Sequence, residues 1–164
     1  MPSHNRKGIL MFLVTKTYDH SLGLSACFRQ WRADHSHCRF LHGYALSFKL
    51  TFAAEQLDRN NWVLDFGGLK PVKAFLVESF DHKLAIAEDD PALDDLGMLA
   101  GLGLADTLVI PFVGCEGFAK YVYDWVDAWL GDAHPLECDI RGLRLVEVEV
   151  REHGGNSAIY QGAK

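Results

Sequence analysis

Residues 44–52 read YALSFKLTF, a stretch in which every second side chain is large and apolar. A period of two is the spacing of a β-strand that buries one face and exposes the other. Residues 145–152 read LVEVEVRE and repeat the alternation, with valines on one side and charged residues on the other. Both stretches therefore predict strands of an antiparallel sheet that packs one face against a core.

Two amphipathic helices are predicted between these strands. Their apolar stripes are Leu69, Val72, Leu76 and Phe80 in the first and Phe118, Val122, Trp125 and Trp129 in the second. The first helix follows a glycine pair, and the second begins near residues 114–116 and ends near residues 131–132. Residues 8–14 predict a first strand, whereas the acidic residues 88–95 and the glycine-rich residues 97–103 predict a surface excursion.

Composition limits the class of protein. The chain has 164 residues, of which 49% are hydrophobic and 23% charged, and this predicts a single globular domain over residues 1–164. The order strand, strand, helix, helix, strand is typical of an α+β domain with its helices on one sheet face. The net charge of −6 argues against nucleic acid as a partner, and no apolar run is long enough to cross a membrane. The four cysteines have no CxxC or framework spacing, which predicts free thiols in a reducing, cytoplasmic compartment.

The densest group of reactive side chains lies at residues 34–44, DHSHCRFLHGY, where the predicted strand begins. Its three histidines and one cysteine could bind a metal or activate the thiol, although histidines in a loop are also commonly solvated or hydrogen-bonded. His42 and Tyr44 are two residues apart, so they share the face that continues into the buried side of the strand.

Glu152 ends the second alternating stretch on its apolar side. A carboxylate at the end of a buried face needs a partner there, because burying an unpaired charge is costly. A ligand edge with two parallel N–H donors would satisfy its oxygens, and so would an Arg or Lys of a neighbouring strand. The sequence leaves these two interpretations open.

Five motifs in the correct order resemble the 6-pyruvoyltetrahydropterin synthase / 6-carboxytetrahydropterin synthase family. They are Cys38-x-x-x-His42-Gly43-Tyr44, the VLDFGGLK of residues 63–70, the FDHKL of residues 80–84, Glu116 with Phe118-Ala119, and Val150-Arg151-Glu152 with Ala158-Ile159-Tyr160. Each motif is weak alone, but the ordered set covers most of the chain. The resemblance implies the T-fold (tunnelling fold), here with an antiparallel four-stranded sheet and two helices on one face.

The resemblance also implies an enzyme, a lyase that moves protons on the side chain of 7,8-dihydroneopterin triphosphate. It implies Cys38, Asp81 and His82 as catalytic residues. A thiolate is a competent base when nearby cations lower its pKa, and a carboxylate beside an imidazole orients and stabilises it. An Asp-His pair at this place is also compatible with a helix-end cap. The resemblance further implies that Glu152 anchors the pterin and that Glu116 contributes to substrate binding.

Arg29, Arg32 and Arg39 crowd into a short segment of this otherwise acidic chain. Guanidinium groups suit phosphate oxygens, so these side chains could hold the triphosphate, and we expect Arg39 to bind the substrate. Simple solvation is the alternative.

The zinc site of the family takes three histidines, one from Phe-x-Ala-x-His and two from His-Gly-His, and this sequence departs from that pattern. Tyr44 replaces the last histidine. Aligning the LSACF segment puts Phe28 at the first position, whereas aligning the WRADH segment puts His35 there and shortens the following loop. A rearranged set of histidines could still bind zinc, and we therefore expect this metal. The expected ligands are His42, His37 and His35.

The leading hypothesis is 6-carboxy-5,6,7,8-tetrahydropterin synthase activity, which releases triphosphate and acetaldehyde and feeds queuosine-type 7-deazapurine biosynthesis. A 6-pyruvoyltetrahydropterin synthase, which stops after the elimination of triphosphate, would use the same residues. A non-catalytic pterin-binding homologue is suggested by the altered zinc positions, although the retained Cys38, Asp81 and His82 argue against it. The implied assembly is a homohexamer in which sheets of several subunits close into a barrel and the active sites lie between subunits.

Overall fold

The computed structural model describes residues 11–163, and the strands in this range join one mixed sheet. The seven strands of this range are β1 Phe12–Tyr18, β2 Leu24–Phe28, β3 His42–Ala54, β4 Lys83–Ala87, β5 Asp106–Ile110, β6 Arg144–His153 and β7 Asn156–Gln161. Its four α-helices are α1 Lys70–Phe80, α2 Leu93–Gly101, α3 Cys115–Ala133 and α4 Pro135–Arg141. Short 3-10 turns lie at His20–Leu22, His37–Arg39 and Phe66–Leu69.

The 13-residue β3 is the centre of the sheet. Along one edge it pairs antiparallel with β6, and along the other it pairs antiparallel with β2 over residues 42–46 and with β1 over residues 48–54. The strand predicted over residues 44–52 is confirmed and is longer by two residues at each end. Its predicted buried face is confirmed except at Tyr44, which is half-buried, and Ser47 and Thr51 of the opposite face are buried as well. The fully buried side chains of the predicted face are Leu46, Phe48, Leu50 and Phe52.

The prediction of an antiparallel four-stranded sheet was wrong, because β4 and β5 add a parallel extension. β4 runs parallel to β2, and β5 runs parallel to β4. These strands read KLAIA and DTLVI, and such short apolar runs carry no alternation that distinguishes a strand from a buried helix. The α+β class is confirmed. The strand predicted over residues 8–14 lies partly outside the described residues, and β1 continues beyond it to Tyr18.

Helices α1 and α3 confirm the two predicted helices, whereas α2 and α4 were missed. α2 occupies part of the stretch predicted as a surface excursion, and it buries none of its residues, so no buried stripe marks it. α4 is only seven residues long, begins at Pro135 and ends before Gly142, whose φ of 64° suits a helix C-cap. No helix described within residues 11–163 has the length and apolarity that a membrane crossing requires.

The buried stripe of α3 differs from the prediction at its C-terminal half. The stripe consists of Phe118, Val122, Val126 and Leu130. Trp125 and Trp129, which were predicted in place of the last two, lie half-buried at its flank, where Trp125 stacks on Phe75 with ring centroids 4.0 Å apart. Neighbouring positions on a helix fit the same apolar spacing, so periodicity alone did not separate the two choices.

Four buried phenylalanines pack helices α1 and α3 against the sheet. Phe80 of α1 lies 4.8 Å from Phe48 of β3 and 5.3 Å from Phe118 of α3, measured between ring centroids. Phe28, the last residue of β2, meets Phe118 edge-on at 5.1 Å. Buried aromatic rings contribute strongly to a core because each removes a large apolar area from water. The cluster fixes the first turn of α3 beside the end of β2, and the candidate functional residues collect around this junction.

Candidate active site

Glu152 lies in a β-bulge beside the turn that joins β6 and β7. Arg151 pairs with Ser157 and His153 pairs with Asn156, so Glu152 is the extra residue between two paired positions. A bulge bends its strand and re-aims the side chain that it carries. The half-buried Glu152 thereby lines a polar cleft of about 450 Å³. The other residues of this cleft are Cys115, Glu116, Gly155, Asn156 and Ser157.

The Glu152 carboxylate shares its cleft with a thiol and with no cationic partner among the described residues. Among the described residues no Arg or Lys forms an ion pair with Glu152, and Arg151 pairs with Glu149 at 2.6 Å instead. The Cys115 thiol, in the first turn of α3, lines the same cleft. Burial raises the pKa of Cys115 to about 12, and the carboxylates of Glu152 and Glu116 add to the rise. The thiol therefore keeps its proton at neutral pH.

The half-buried Tyr44 lies close to this cleft. Burial raises the pKa of the Tyr44 hydroxyl, and Glu152, Cys38 and Cys115 raise it further. The Tyr44 ring lies 6.2 Å from the ring of His153, which follows Glu152 along β6. The fold thus places Tyr44 near the strand end that carries Glu152, the predicted pterin anchor.

Phe28, His42 and Tyr44 form a triangle of rings at the same place. The register pairs Phe28 with His42 and Ala26 with Tyr44, so all three rings lie on the sheet face that carries the core. Ring centroids are 5.0 Å apart for Phe28 and His42, 5.6 Å for His42 and Tyr44, and 6.2 Å for Phe28 and Tyr44. His42 Nδ1 lies 2.8 Å from the carbonyl oxygen of Phe40. Because a carbonyl only accepts, Nδ1 donates and Nε2 carries the lone pair.

Cys38 is exposed in the 3-10 turn His37–Arg39. Its backbone N–H donates to Ser36 Oγ at 3.1 Å, and its carbonyl accepts from the backbone N–H of Gln30 at 2.8 Å. The side chain of Gln30 donates to the carbonyl of Val113 at 2.9 Å. Gln30 therefore ties the Cys38 turn to the start of α3.

Gly114 makes this tie possible. Its φ is 93°, in the left-handed region, and a Cβ at this position would lie 2.1 Å from Gln30 Nε2. A larger residue would displace the amide and loosen the link to Cys38. Sequence reasoning missed Gln30 and the role of Cys115, and it read Gly114 only as a helix boundary. The glycine directly before the helix was the one available signal.

Asp81 and His82 form the predicted pair, but not at the cleft of Glu152. His82 Nδ1 lies 2.6 Å from Asp81 Oδ1, and His82 has a φ of 56°, which is uncommon outside glycine. Its imidazole is 86% exposed and lines a second cleft of about 390 Å³ together with Gly43. Gly43 alternates with Tyr44 along β3, so this second cleft opens on the opposite face of the sheet. Within one chain, His82 and Glu152 therefore line different clefts.

The expected zinc ligands are not brought together. His35 and His37 are exposed in the loop before β3, whereas the ring of His42 packs on Phe28. Throughout residues 11–163, no three His, Cys, Asp or Glu side chains are placed to hold a metal ion. This donor arrangement does not fit a zinc site with three protein ligands. Zinc binding stays a prediction from the sequence.

Two of the three clustered arginines already have carboxylate partners. Arg29 donates to both oxygens of the buried Asp90, at 2.8 and 2.5 Å, and these hydrogen bonds lower the pKa of Asp90. Arg32 pairs with Asp89 at 2.7 Å. Arg39 is exposed and, within the part of the chain that the structure describes, makes no ion pair. Of the three side chains, Arg39 is the one available for a phosphate group.

We expect iodoacetamide to modify Cys38 first. Cys38 is exposed, whereas burial raises the pKa of Cys27, Cys115 and Cys138. A thiol with a pKa of about 12 is only about 10⁻⁴ ionised at pH 8, so Cys115 should react at least about a thousandfold more slowly than an accessible thiol. Peptide mapping after a brief exposure at pH 8 measures the order. Cys38→Ser should remove the fast phase, and equal labelling of Cys115 and Cys38 in folded protein contradicts the prediction.

Sequence comparison identifies a family. The family model described as 6-pyruvoyl tetrahydropterin synthase matches residues 13–163. Two similar curated proteins are named 6-carboxy-5,6,7,8-tetrahydropterin synthase. The protein from Rickettsia felis is 41% identical over 54 residues, which are 32% of this chain and only 39% of the relative. The protein from Aquifex aeolicus is 29% identical over 126 residues, which are 76% of this chain and 75% of the relative.

Solved structures share the fold. An uncharacterised protein from Wolinella succinogenes has a TM-score of 0.77 at 21% identity, covering 94% of this chain and 99% of its own. A 6-pyruvoyltetrahydropterin synthase from Plasmodium vivax, a catalytic-residue mutant, has a TM-score of 0.65 at 13% identity, covering 92% of this chain and 97% of its own. At such identities the likeness concerns the fold alone, and it agrees with the predicted T-fold class.

Proposed function

The chain belongs to the 6-pyruvoyl tetrahydropterin synthase family, and we propose that it is a lyase that makes 6-carboxy-5,6,7,8-tetrahydropterin from 7,8-dihydroneopterin triphosphate. One observation carries the proposal: the half-buried Glu152 lines a cleft of small-molecule size and has no Arg or Lys partner among the described residues. The product would enter queuosine-type 7-deazapurine biosynthesis. Four free thiols support a reducing, cytoplasmic compartment.

The Glu152 cleft suits the amino-pyrimidinone edge of a pterin. That edge presents two parallel N–H donors, and one carboxylate accepts both, as it does from a guanidinium group. Cys115 retains its own proton and so leaves Glu152 as the charged partner. The start of α3 adds the positive end of a helix dipole, which favours negative charge on Glu116 and Glu152. At about 450 Å³, the cleft falls within the roughly 300–1,000 Å³ typical of small-molecule sites.

Cys38 is the proposed base for the side chain of the pterin. The adjacent Arg39 is exposed and is available to the triphosphate. As the thiolate takes a proton, the electron pair of that C–H bond forms a double bond, and triphosphate leaves with the pair of its C–O bond. The imidazole of His82, oriented by Asp81 at 2.6 Å, would carry the second proton.

We propose that His82 reaches this chemistry from a neighbouring copy in a homohexamer. An imidazole that is 86% exposed is available to a partner. Within the described chain, β1 and β7 are each paired on one side only, and β1 exposes Phe12 and Leu13 to 51% and 60%. A free edge with exposed apolar side chains favours pairing with another strand. These edges support closure of sheets from several copies around shared sites.

Product analysis tests the proposed reaction. Purified protein is incubated with 7,8-dihydroneopterin triphosphate, and triphosphate, acetaldehyde and the pterin product are quantified. Equal release of triphosphate and acetaldehyde is the expected result. Triphosphate without acetaldehyde would indicate a 6-pyruvoyltetrahydropterin synthase. Equal substrate binding by wild type and Cys38→Ala, with turnover by neither, would indicate a non-catalytic pterin-binding protein.

A further inference from the structure

The rings of Phe28, His42 and Tyr44 are spaced much as the three imidazoles of a metal centre are, but two of these rings carry no nitrogen donor. Three imidazoles that share one zinc at Zn–N distances of about 2.0–2.1 Å place their ring centroids about 5 Å apart. The centroid distances in the triangle are 5.0, 5.6 and 6.2 Å. The two strands thus bring three rings to one point, but only His42 carries a nitrogen.

Strand register decides which residue occupies the first position of this triangle. β2 pairs Phe28 directly with His42, and the ring of Phe28 lies near both of the other rings. His35, the alternative from the sequence, is exposed in the loop before β3. Phe28, and not His35, therefore holds the place of the first histidine in the family pattern.

Phe28 and Tyr44 are poor zinc ligands for chemical reasons. A benzyl ring has no lone pair, and zinc in proteins is held by Cys, His, Asp or Glu rather than by a phenol. Phe28 is also 1% exposed and packs edge-on against Phe118, so its position is committed to the core. His42 is oriented as a ligand would be, with Nδ1 on the Phe40 carbonyl, but it is a single donor.

A second imidazole beside the triangle is already in contact with polar neighbours. The ring of His153 lies 6.2 Å from that of Tyr44, and its Nδ1 accepts from the backbone N–H of Gly155 at 3.1 Å while its Nε2 lies 3.3 Å from Asn156 Nδ2. Across residues 11–163, no three His, Cys, Asp or Glu side chains are placed to hold a metal ion. The fold therefore leaves His42 without the two further ligands that a zinc site requires.

We infer that this chain has replaced the three-histidine zinc centre of its family by an aromatic cluster of Phe28, His42 and Tyr44 that binds no metal. The inference rests on the proposed function only in placing the cluster beside the substrate cleft. Metal binding itself is measured without substrate.

The inference is tested by introducing histidine donors at the positions of Phe28 and Tyr44. Untagged wild type and the Phe28→His/Tyr44→His variant are stripped with EDTA, dialysed against zinc, freed of unbound metal and assayed by mass spectrometry. Wild type should retain no stoichiometric zinc, and the double variant should retain about one ion per chain. Adding His42→Ala to the double variant should abolish retention. The matched control Phe28→Leu/Tyr44→Phe alters the same positions without adding donors and should stay metal-free.

Two outcomes overturn the inference. One is stoichiometric zinc in wild type that is lost on His42→Ala or on His35→Ala/His37→Ala. The other is a folded double variant that retains no zinc, because the triangle would then not be the place of a former metal centre. If the double variant does not fold, the melting temperature of wild type is measured with and without zinc. The inference predicts no change in the melting temperature, and a rise would show a bound ion and contradict the inference.

The same protein separates this inference from the proposed function. EDTA-stripped wild type that turns over 7,8-dihydroneopterin triphosphate at its original rate supports both. A metal-free wild type with the expected behaviour of the double variant, but with no turnover, upholds the aromatic cluster and rejects the enzymatic assignment.

Discussion

Glu152→Gln is expected to weaken neopterin binding by at least about 100-fold, because hydrogen bonds to a charged group contribute roughly 1.5–3 kcal/mol each and the carboxylate accepts two. The amide keeps one acceptor and turns two N–H donors into the same narrow space, where they oppose the donors of the pterin edge. Isothermal titration with neopterin, which lacks the triphosphate, isolates this contact from the phosphate contacts. The folded state should survive, since the Glu152 side chain is only half-buried.

Glu147→Gln is the matched control for this effect. Glu147 lies on the same strand but hydrogen-bonds to Thr51 and to Gln161, at 3.3 and 2.7 Å, outside the cleft. It removes the same charge from the same strand, so a general loss of negative potential would weaken binding equally in both variants. Unchanged neopterin affinity in Glu152→Gln, or equal losses in the two variants, would contradict the assignment of Glu152 as the pterin anchor.

The parts of the fold that were predictable are those in which burial leaves a local period. β3 alternates over its buried face, and α1 carries apolar residues at helical spacing, so neighbouring side chains alone define both. β4 and β5 have no such pattern, because each is only five residues long and carries a short apolar run without alternation. Their place in the sheet depends on pairing with distant segments, which a single sequence does not encode locally.

The candidate site, like the fold, could be predicted only in part. Period-two counting placed Glu152 at the end of a buried face, but it did not predict the cleft, because a bulge aims the carboxylate and Cys115 comes from a separate helix. Phe28 could be placed opposite His42 only through the register of β2 on β3, since the loop between these strands allowed another alignment. Non-local register, rather than residue type, was the missing information.

The sequence of one chain did not show that His82 and Glu152 line different clefts. That separation could be anticipated only by considering several copies of the chain together. Each residue sits in a motif with a clear chemical role, yet β3 turns successive side chains to opposite faces, and the two residues line clefts on different faces of one chain. Under the proposed function, a single copy therefore contributes Glu152 to one active site and His82 to another.

Mixing two inactive variants is expected to restore activity. Cys38→Ala and His82→Ala should each lower kcat by about 10²–10⁴, the usual contribution of one acid–base group. In randomly assembled 1:1 hexamers, about one quarter of the sites would combine Cys38 from one copy with His82 from its neighbour, so activity should rise to about one quarter of wild type. The measurement is acetaldehyde or triphosphate release after the subunits are co-expressed with different tags and purified through both.

A double variant provides the control, because it places both substitutions in one chain. Mixed 1:1 with wild type, Cys38→Ala/His82→Ala should leave about one quarter of the sites active if each site is shared between copies, and about one half if each chain builds its own. Co-assembled single variants that stay inactive, together with half activity in this control, would place both residues in one subunit. The exposed imidazole of His82, held by Asp81 on the sheet face away from Glu152, favours the shared site.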